Sequence, residues 1–347
     1  MMKQNLEHII KKYFPYSADI KIVTFGNGHI NSTYLVTLIA ENVEKKYILQ
    51  QLNTSIFSTP EKIAKNINTL SDFLETQPYK LQILAPILTV EGEVYVVENK
   101  NYFRVFPYIS DSYAPEKCES VTQAFASGKA FGHFFKTISG LNVAHLETII
   151  PQFHDATLRW EQFLESMKNA NKKRFQEAQS EIVFCIENIQ LIEKYKQAVS
   201  QIPLRATHND TKITNILFDK KTHKPLCIID LDTVQPGTIL SEFGDMVRTF
   251  CNSAEEDEHQ EKNINFREDI YDALKKGFIS ETSEILTKNE IDLLPFAAKL
   301  TIFVQALRFL TDFLNNDIYY KIKFANHNLV RAKNQIALLR KMKHREP

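Results

Sequence analysis

The sequence predicts an α+β chain in two lobes, an antiparallel sheet lobe over residues 1–107 and a mostly helical lobe over residues 108–347. Short runs of β-branched and aromatic residues, separated by turn signals, dominate the first lobe. From about residue 119 the apolar positions recur at helical spacing, except in an island at 207–233 that reads as a hairpin of two short strands. Because ligands bind preferentially in clefts between such units, we expect the functional site between the lobes.

Five strands and one helix account for the predicted N-terminal lobe. The strand-like runs are IKIVTF (20–25), TYLVTLIA (33–40), KKYILQQL (45–52), EVYVVE (93–98) and YFRVFPY (102–108). Hairpin turns are predicted at Glu41-Asn42 and at the NKN segment, 99–101. Pro60 follows a Ser/Thr cap, and the apolar residues after it recur at spacings of four, three and four. This pattern predicts a helix over 58–75.

Helical periodicity covers most of the predicted C-terminal lobe. The clearest segments are 119–139, 294–314 and 327–342. Segment 294–314 is apolar on nearly all faces, which predicts a helix buried at the centre of a domain. The EEDEH run at 255–259 is predicted to be the solvated acidic face of a helix.

Composition and charge exclude several classes of protein. Lysine plus arginine and aspartate plus glutamate number 42 each, so the net charge is 0 and a nucleic-acid or anionic-membrane partner is not expected. The start of the chain lacks a signal-peptide pattern, and no uninterrupted apolar run reaches about 18 residues. Four scattered cysteines, without metal-binding spacing, predict reduced thiols and a cytoplasmic protein: Cys118, Cys185, Cys227 and Cys251.

The island at 207–233 crowds polar side chains at the ends of two apolar runs. These side chains are His208, Asp210, Lys212, Asn215, Asp230 and Asp232. In a hairpin, Asn215 at the start of one strand and Asp230 at the end of its partner lie at the same end. Both supply oxygen ligands, which Mg²⁺ prefers while it keeps positions for water and phosphate.

The remaining island residues suit phosphate chemistry. Asp210 can accept a proton from a substrate hydroxyl, and Lys212 can meet a phosphate charge as a compact cation. His208 is predicted to be structural, hydrogen-bonded to the backbone of the catalytic loop. Aspartate and asparagine also favour turns, so each of these residues alone has a simpler structural reading, whereas the set at this spacing points to chemistry.

This constellation, H-x-D-x-K-x-x-N followed by a metal-binding aspartate, resembles protein kinases and the aminoglycoside phosphotransferase and choline kinase group. The resemblance extends to FGNGHINSTYLV, which lies between the first two strands where a phosphate-covering loop belongs. It implies a protein-kinase-like two-lobed fold that binds ATP and Mg²⁺. The implied nucleotide-binding residues are Gly26, Gly28, Ile30, Asn31 and Thr33 in and after the loop, Gln50 on the third strand, and Phe106 at the adenine-binding hinge.

A narrower resemblance is to bacterial N-acetylhexosamine kinases, which phosphorylate an anomeric hydroxyl. It rests on GHINSTY, YILQQLNTSIF, IPQFHD, THNDTKITNILFD, IIDLDTVQPG, FGDMVR and RFLTDFLNNDIYYK, which run in order through nearly the whole chain. It implies Asp210 and Lys212 as catalytic residues and a sugar substrate beside Asp210. Asn215 and Asp230 are implied as metal ligands, with Asp232 a second-metal or outer ligand.

Arg308 stands alone in the most apolar helical segment, so it needs a partner. Two roles remain open from the sequence. One is a contact to substrate hydroxyls, and the other is an ion pair with Asp312, one helical turn later.

Gln50 stands where kinases usually carry a third-strand lysine, with Lys46 earlier on the strand and Glu61 only in the first turn of the next helix, so the sequence does not establish the usual Lys–Glu pair. This departure supports a rival reading, a nucleotide-binding pseudokinase. Other small acceptors, such as an aminoglycoside, choline or an amino alcohol, also remain open, as does the oligomeric state. A haloacid-dehalogenase-like phosphatase, with Asp230 as nucleophile and Asp232 as general acid, is rejected because the residues after Asp232 are almost wholly helical instead of alternating strand and helix.

Overall fold

A computed structural model describes residues 2–16, 18–26 and 30–342. The helices are α1 (Met2–Tyr13), α2 (Pro60–Glu75), α3 (Val121–Ile138), α4 (Ala156–Asn169), α5 (Lys172–Glu177), α6 (Gln179–Glu187), α7 (Gln190–Val199), α8 (Ile239–Phe250), α9 (Glu268–Thr282), α10 (Lys288–Leu314) and α11 (His327–Lys341). The strands are β1 (Asp19–Thr24), β2 (Ser32–Ala40), β3 (Val43–Gln51), β4 (Val96–Glu98), β5 (Asn101–Pro107), β6 (Ser112–Tyr113), β7 (Arg205–Thr207), β8 (Ile216–Asp219), β9 (Pro225–Ile228) and β10 (Gln235–Gly237).

The N-terminal lobe contains a five-stranded antiparallel sheet in the order β1-β2-β3-β5-β4, as the sequence predicts. Two-residue turns make its two predicted hairpins. Glu41 and Asn42 have φ of 51° and 64°, and Asn99 and Lys100 have φ of 49° and 65°. Paired positive φ angles match the right-handed twist of the flanking strands, so these turns also fix the strand register.

The N-terminal lobe has two helices, so the prediction of a single helix was wrong. Helix α1 packs its apolar face, with Ile9 and Ile10 fully buried, against Val36 and Val105 of the sheet. Helix α2 begins at Pro60, as predicted, but its buried side chains join the core of the helical region. A lobe boundary at residue 107 therefore stays a prediction.

The helical region contains one very closely packed helix pair and one long central helix. Helices α3 and α9 cross so tightly that a Cβ on Gly128 would lie 2.2 Å from the carbonyl oxygen of Leu274. Helix α10 is long and apolar enough to cross a membrane. However, 78% of its apolar 18-residue stretch is buried inside the protein. This burial confirms the predicted central core helix. The 255–259 segment is not a helix, and Glu256 and Asp257 form ion pairs, so that prediction was wrong.

The island at 207–233 forms the predicted hairpin. Strands β8 and β9 pair with Ile216 opposite Ile228, and β7 pairs with β10 beside them. The Ile229 amide donates to the Asn215 carbonyl at 2.9 Å, which closes the end of the hairpin. Short 3₁₀ turns at Ile213–Asn215 and Leu231–Thr233 lie at this same end. The polar residues predicted for the site are therefore brought together.

Candidate active site

Asp210, Lys212 and Asn215 form one hydrogen-bonded group. Lys212 Nζ lies 2.7 Å from Asp210 Oδ2, and Asn215 Nδ2 donates to the same oxygen at 2.9 Å. The ammonium and the amide hold the pKa of Asp210 below its ordinary value, although burial acts in the opposite direction. The Asp210 side chain keeps 24% exposure. It is thus an ionised, fixed acceptor that solvent can reach.

A buried polar frame holds this loop in place. Glu242 of α8 is fully buried and accepts the backbone amides of His208 and Asn209, both at 2.8 Å. Burial raises the pKa of Glu242 to about 8, while these two bonds favour its charged form. His208 is also fully buried, and its Nε2 donates to the Ile229 carbonyl at 3.0 Å. His208 therefore links the loop to the end of β9, which agrees with its predicted structural role.

Asp230 is the exposed carboxylate of the site. Its backbone is left-handed, with φ of 63°, and this conformation ends β9 and turns the chain into the next 3₁₀ turn. Enclosure by the cleft walls and the charges of Asp232 and Asp210 raise the pKa of Asp230 to about 7. A cation placed between these carboxylates would relieve their repulsion.

Asp232, in contrast, is 1% exposed and already has partners from two other segments. Arg104 of β5 contacts both of its oxygens, Oδ1 at 2.7 Å and Oδ2 at 2.8 Å. Asn31 Nδ2 also donates to Oδ2, at 2.9 Å. Gln50 Oε1 accepts from Arg104 Nη2 at 2.8 Å. Asp232 could reach a metal only if some of these contacts rearranged.

The other predicted nucleotide-binding residues lie between β1 and β2, on β2 and on β5. Gly26 has φ of 73°, Ile30 is 40% exposed, and Thr33 pairs with Gln50 across β2 and β3. Phe106 is 7% exposed and lies 4.8 Å beneath the Arg104 guanidinium. Gly28 lies outside the described residues. Nucleotide contacts at these positions stay predictions.

The oxygen atoms of Asn215 and Asp230 fit a magnesium ion that takes its remaining ligands from phosphate and water. They do not fit a site in which the protein supplies every ligand. Among residues 2–16, 18–26 and 30–342, no three His, Cys, Asp or Glu side chains form a metal-binding group. Asn215 donates its Nδ2 hydrogens to Asp210, which leaves its Oδ1 as the atom suited to a cation. Asp230 adds a carboxylate at the same end of the hairpin. Hard oxygen ligands of this kind, few in number, are typical of Mg²⁺ bound with a phosphate substrate.

Arg308 lies on α10, next to two aromatic side chains. Its guanidinium is 5.8 Å from the Phe153 ring centroid and 5.7 Å from that of Tyr320, and Nη1 donates to Gln305 at 3.3 Å. The alternative ion pair with Asp312 is not formed. Asp312 instead accepts the backbone amides of Tyr319 and Tyr320 at 2.8 and 2.9 Å and so stabilises the turn after α10.

His154 connects the catalytic loop to this region. Its Nε2 donates to the Asn209 carbonyl at 3.1 Å, and its ring lies 4.4 Å from that of Phe153. Burial lowers the pKa of His154 to about 4, so it is a neutral donor near neutral pH. Asp245, on the adjacent helix α8, forms an ion pair with Arg248 at 2.9 Å. A chain of contacts therefore runs from the Asn209 carbonyl through His154 and Phe153 to Arg308.

Sequence reasoning missed Arg104 and Glu242, two buried charges that organise the site. Arg104 lies within the run FRVFPY, which the sequence marks only as a hinge. A charged residue inside an apolar strand needs a partner, as does Arg308 in its apolar helix, and that signal was present. Glu242 has no comparable signal, because acidic residues are common in helices that face solvent.

Comparison with known proteins places this site in a family context. Residues 21–275 match the family described as "APH: Phosphotransferase enzyme family". The fold is similar to an aminoglycoside phosphotransferase from Alicyclobacillus acidocaldarius, with a TM-score of 0.63 and 12% identity over 96% of this chain and 94% of that one. It is also similar to an ethanolamine kinase from Plasmodium vivax, with a TM-score of 0.56 and 14% identity over 92% and 82%. A third match is spectinomycin phosphotransferase in complex with ADP and spectinomycin, at 0.54 and 15% over 96% and 98%.

Proposed function

Because this chain belongs to the APH phosphotransferase enzyme family, a family of small-molecule phosphotransferases with hydroxyl acceptors, we propose that its acceptor is a sugar. The proposed substrate is an N-acetylhexosamine, phosphorylated on its anomeric hydroxyl. ATP is the proposed donor, with Mg²⁺ as its counter-ion, in the cytoplasm. Similarity of the sequence blocks to N-acetylhexosamine kinases and the chemistry of the cleft support this proposal.

Asn215 and Asp230 are proposed to hold the magnesium ion, which would neutralise charge on the transferred phosphoryl group. Lys212 Nζ, fixed 2.7 Å from Asp210, would add positive charge on the acceptor side. Both interactions act where charge develops during transfer. The loop between β1 and β2 is proposed to cover the phosphates.

Asp210 is proposed to orient the acceptor hydroxyl and to receive its proton. The hydroxyl oxygen forms a bond to the γ-phosphorus as the bond to the β–γ bridging oxygen breaks, and ADP leaves. Because Lys212 lowers the pKa of Asp210, this carboxylate is a weak base, and orientation contributes more than proton removal. That balance suits an anomeric hydroxyl, which is more acidic than an ordinary alcohol.

Arg308 is the observation that favours a sugar over a cationic acceptor. Its guanidinium lies between Phe153 and Tyr320 and, among the described residues, forms no ion pair. A charged donor flanked by aromatic rings can bind hydroxyl and carbonyl oxygens. The same charge would repel choline, ethanolamine or an aminoglycoside. We therefore assign Arg308 to the acceptor site.

The pseudokinase alternative loses its main support. That alternative rested on the absence of a third-strand lysine. Arg104, the cross-strand partner of Gln50 on β5, supplies a cation beside that position and contacts Asp232. The hydrogen-bonded group of Asp210, Lys212 and Asn215, with Asp230 at the same end of the hairpin, also supports phosphoryl transfer over nucleotide binding alone.

An ATP-consumption assay with Mg²⁺ tests the proposal on N-acetylglucosamine, N-acetylgalactosamine, other hexoses, choline and an aminoglycoside. We expect turnover on an N-acetylhexosamine and an acid-labile product phosphate, the mark of anomeric transfer. Arg308→Met should raise the KM for the sugar at least about tenfold while leaving the KM for ATP unchanged. Turnover only on choline or the aminoglycoside would refute the sugar assignment.

A further inference from the structure

Arg104, Gln50, Asp232 and Asn31 form what we term the interlobe clamp. Gln50 and Arg104 are direct partners across β3 and β5, so their side chains lie on the same face of the sheet. Arg104 reaches from this face to Asp232, which follows the catalytic hairpin 128 residues later. Asn31, from the β1–β2 turn, joins the same carboxylate. The clamp thus connects the sheet, the loop after β1 and the metal side of the cleft.

The clamp also balances the charge of the cleft. Three carboxylates meet there, and two cations pair with the outer ones, Lys212 with Asp210 and Arg104 with Asp232. Asp230, two residues before Asp232, has no cation partner among the described residues, and its charge acts on both Arg104 and Lys212. Arg104 is 2% exposed, and its Nη1 has no hydrogen-bond acceptor among the described residues. The guanidinium therefore retains one donor beyond the contacts that hold it.

We propose that Arg104 is a positioning residue for the nucleotide phosphates, replacing the missing third-strand lysine from the neighbouring strand. Asp232 then acts as its anchor between the lobes, and the metal is left to Asn215 and Asp230. This inference rests on the proposed nucleotide site. Gln50 then does not contact phosphate as the usual lysine does. Its Oε1 accepts from Arg104 Nε and Nη2 and so fixes the plane of the guanidinium.

Asn31 gives the clamp a direct connection to the phosphate-covering loop. Its Oδ1 accepts the Asn53 amide at 3.0 Å while its Nδ2 donates to Asp232. Asn31 is thereby oriented from both ends, and it contacts the same carboxylate that Arg104 contacts from the sheet. Loss of Arg104 should therefore weaken the Asn31–Asp232 contact as well as remove a charge.

Calorimetric titration of the full chain with ADP, with and without Mg²⁺, tests the role of Arg104 without relying on turnover. Arg104→Gln should weaken ADP binding in the absence of Mg²⁺ at least about tenfold. The exchange variant Gln50→Lys/Arg104→Gln, which moves the cation to β3, should recover at least about threefold of that loss. Arg205→Gln is the control, because it breaks a buried ion pair with Glu290 away from the cleft and should leave ADP affinity unchanged.

The anchor role of Asp232 has its own comparison. Asp232→Asn should keep the ratio of ADP affinities with and without Mg²⁺, whereas Asp230→Asn should abolish it. Collapse of the ratio in both variants would make Asp232 a metal ligand and overturn its assignment as an anchor.

Two outcomes separate this inference from the proposed function. If the wild type binds ADP and Arg104→Gln binds it with the same affinity, only this inference is overturned. If the wild type does not bind ADP, the proposed function is overturned. If Arg104→Gln fails to fold, Arg104→Lys retains the charge but loses the planar fork, and it should keep measurable ADP binding, weaker than wild type by up to about tenfold. A folded Arg104→Lys protein with no ADP affinity would also refute the inference.

Discussion

Two ion pairs act on Asp230, and they differ in burial and in the sequence separation of their partners. Lys212 and Asp210 are two residues apart, with side chains 35% and 24% exposed. Arg104 and Asp232 are 128 residues apart, with side chains 2% and 1% exposed. The first pair is set by local chain geometry beside the proposed acceptor position, and the second by the packing of the sheet against the hairpin of β8 and β9.

This difference separates chemistry from architecture. A solvent-accessible pair contributes little to folding, but it can exchange partners with a substrate. A buried pair can be neutral overall, yet removal of one partner leaves an uncompensated charge in the interior. We therefore expect substitutions at Asp210 to impair turnover and substitutions at Arg104 to reduce stability as well as nucleotide binding.

The largest effect is expected at the accessible pair. Asp210→Ala should lower kcat at least about a thousandfold, because it removes the group that orients and deprotonates the acceptor. The melting temperature should change little, since Asp210 keeps contact with solvent. Asp219→Ala, at the turn end of the same hairpin, is the control and should keep most activity. A folded Asp210→Ala protein with most of its turnover would exclude Asp210 as the base.

The buried pair should give the second largest effect, measured as stability. Arg104→Met should lower the free energy of unfolding by about 3–5 kcal/mol, because Asp232 is left buried without its cation. Lys212→Met should lower it by less than about 1 kcal/mol, since Asp210 remains hydrated. Chemical denaturation of both variants measures the difference. Equal losses would show that burial does not distinguish the two pairs.

The same contrast explains which parts of the molecule the sequence predicts. Asp210, Lys212 and Asn215 lie within six positions, so their spacing alone predicts a shared site. The five-stranded sheet was predictable for the same reason, because alternation and two-residue turns are local signals. Local reasoning left two roles open for Arg308, since helical spacing offered Asp312 as a partner, and the structure shows that Asp312 is occupied by the amides of Tyr319 and Tyr320 instead.

Contacts between distant segments could not be predicted. Arg104 needs Asp232, and Glu242 accepts amides from residues 33 and 34 positions earlier. Such pairs depend on how the lobes and α8 pack, which no periodicity encodes. The apolar environment of Arg104 indicates that it needs a partner, but it does not identify which carboxylate supplies it.

The smallest expected effect concerns Asp230. Neither Lys212 nor Arg104 forms an ion pair with this carboxylate, because each pairs with another aspartate. Its pKa is raised to about 7, so below that pH the carboxyl is increasingly protonated and must release a proton to bind Mg²⁺. The Mg²⁺ concentration for half-maximal ADP binding should therefore rise by up to about tenfold for each pH unit below 7 and stay constant above it. Titrations at several pH values measure this dependence, and Asp232→Asn should shift its midpoint downward by removing a neighbouring charge. If the Mg²⁺ concentration for half-maximal ADP binding does not change across pH 7, a cation already compensates the charge of Asp230. The assignment of Lys212 to Asp210 and of Arg104 to Asp232 would then be wrong.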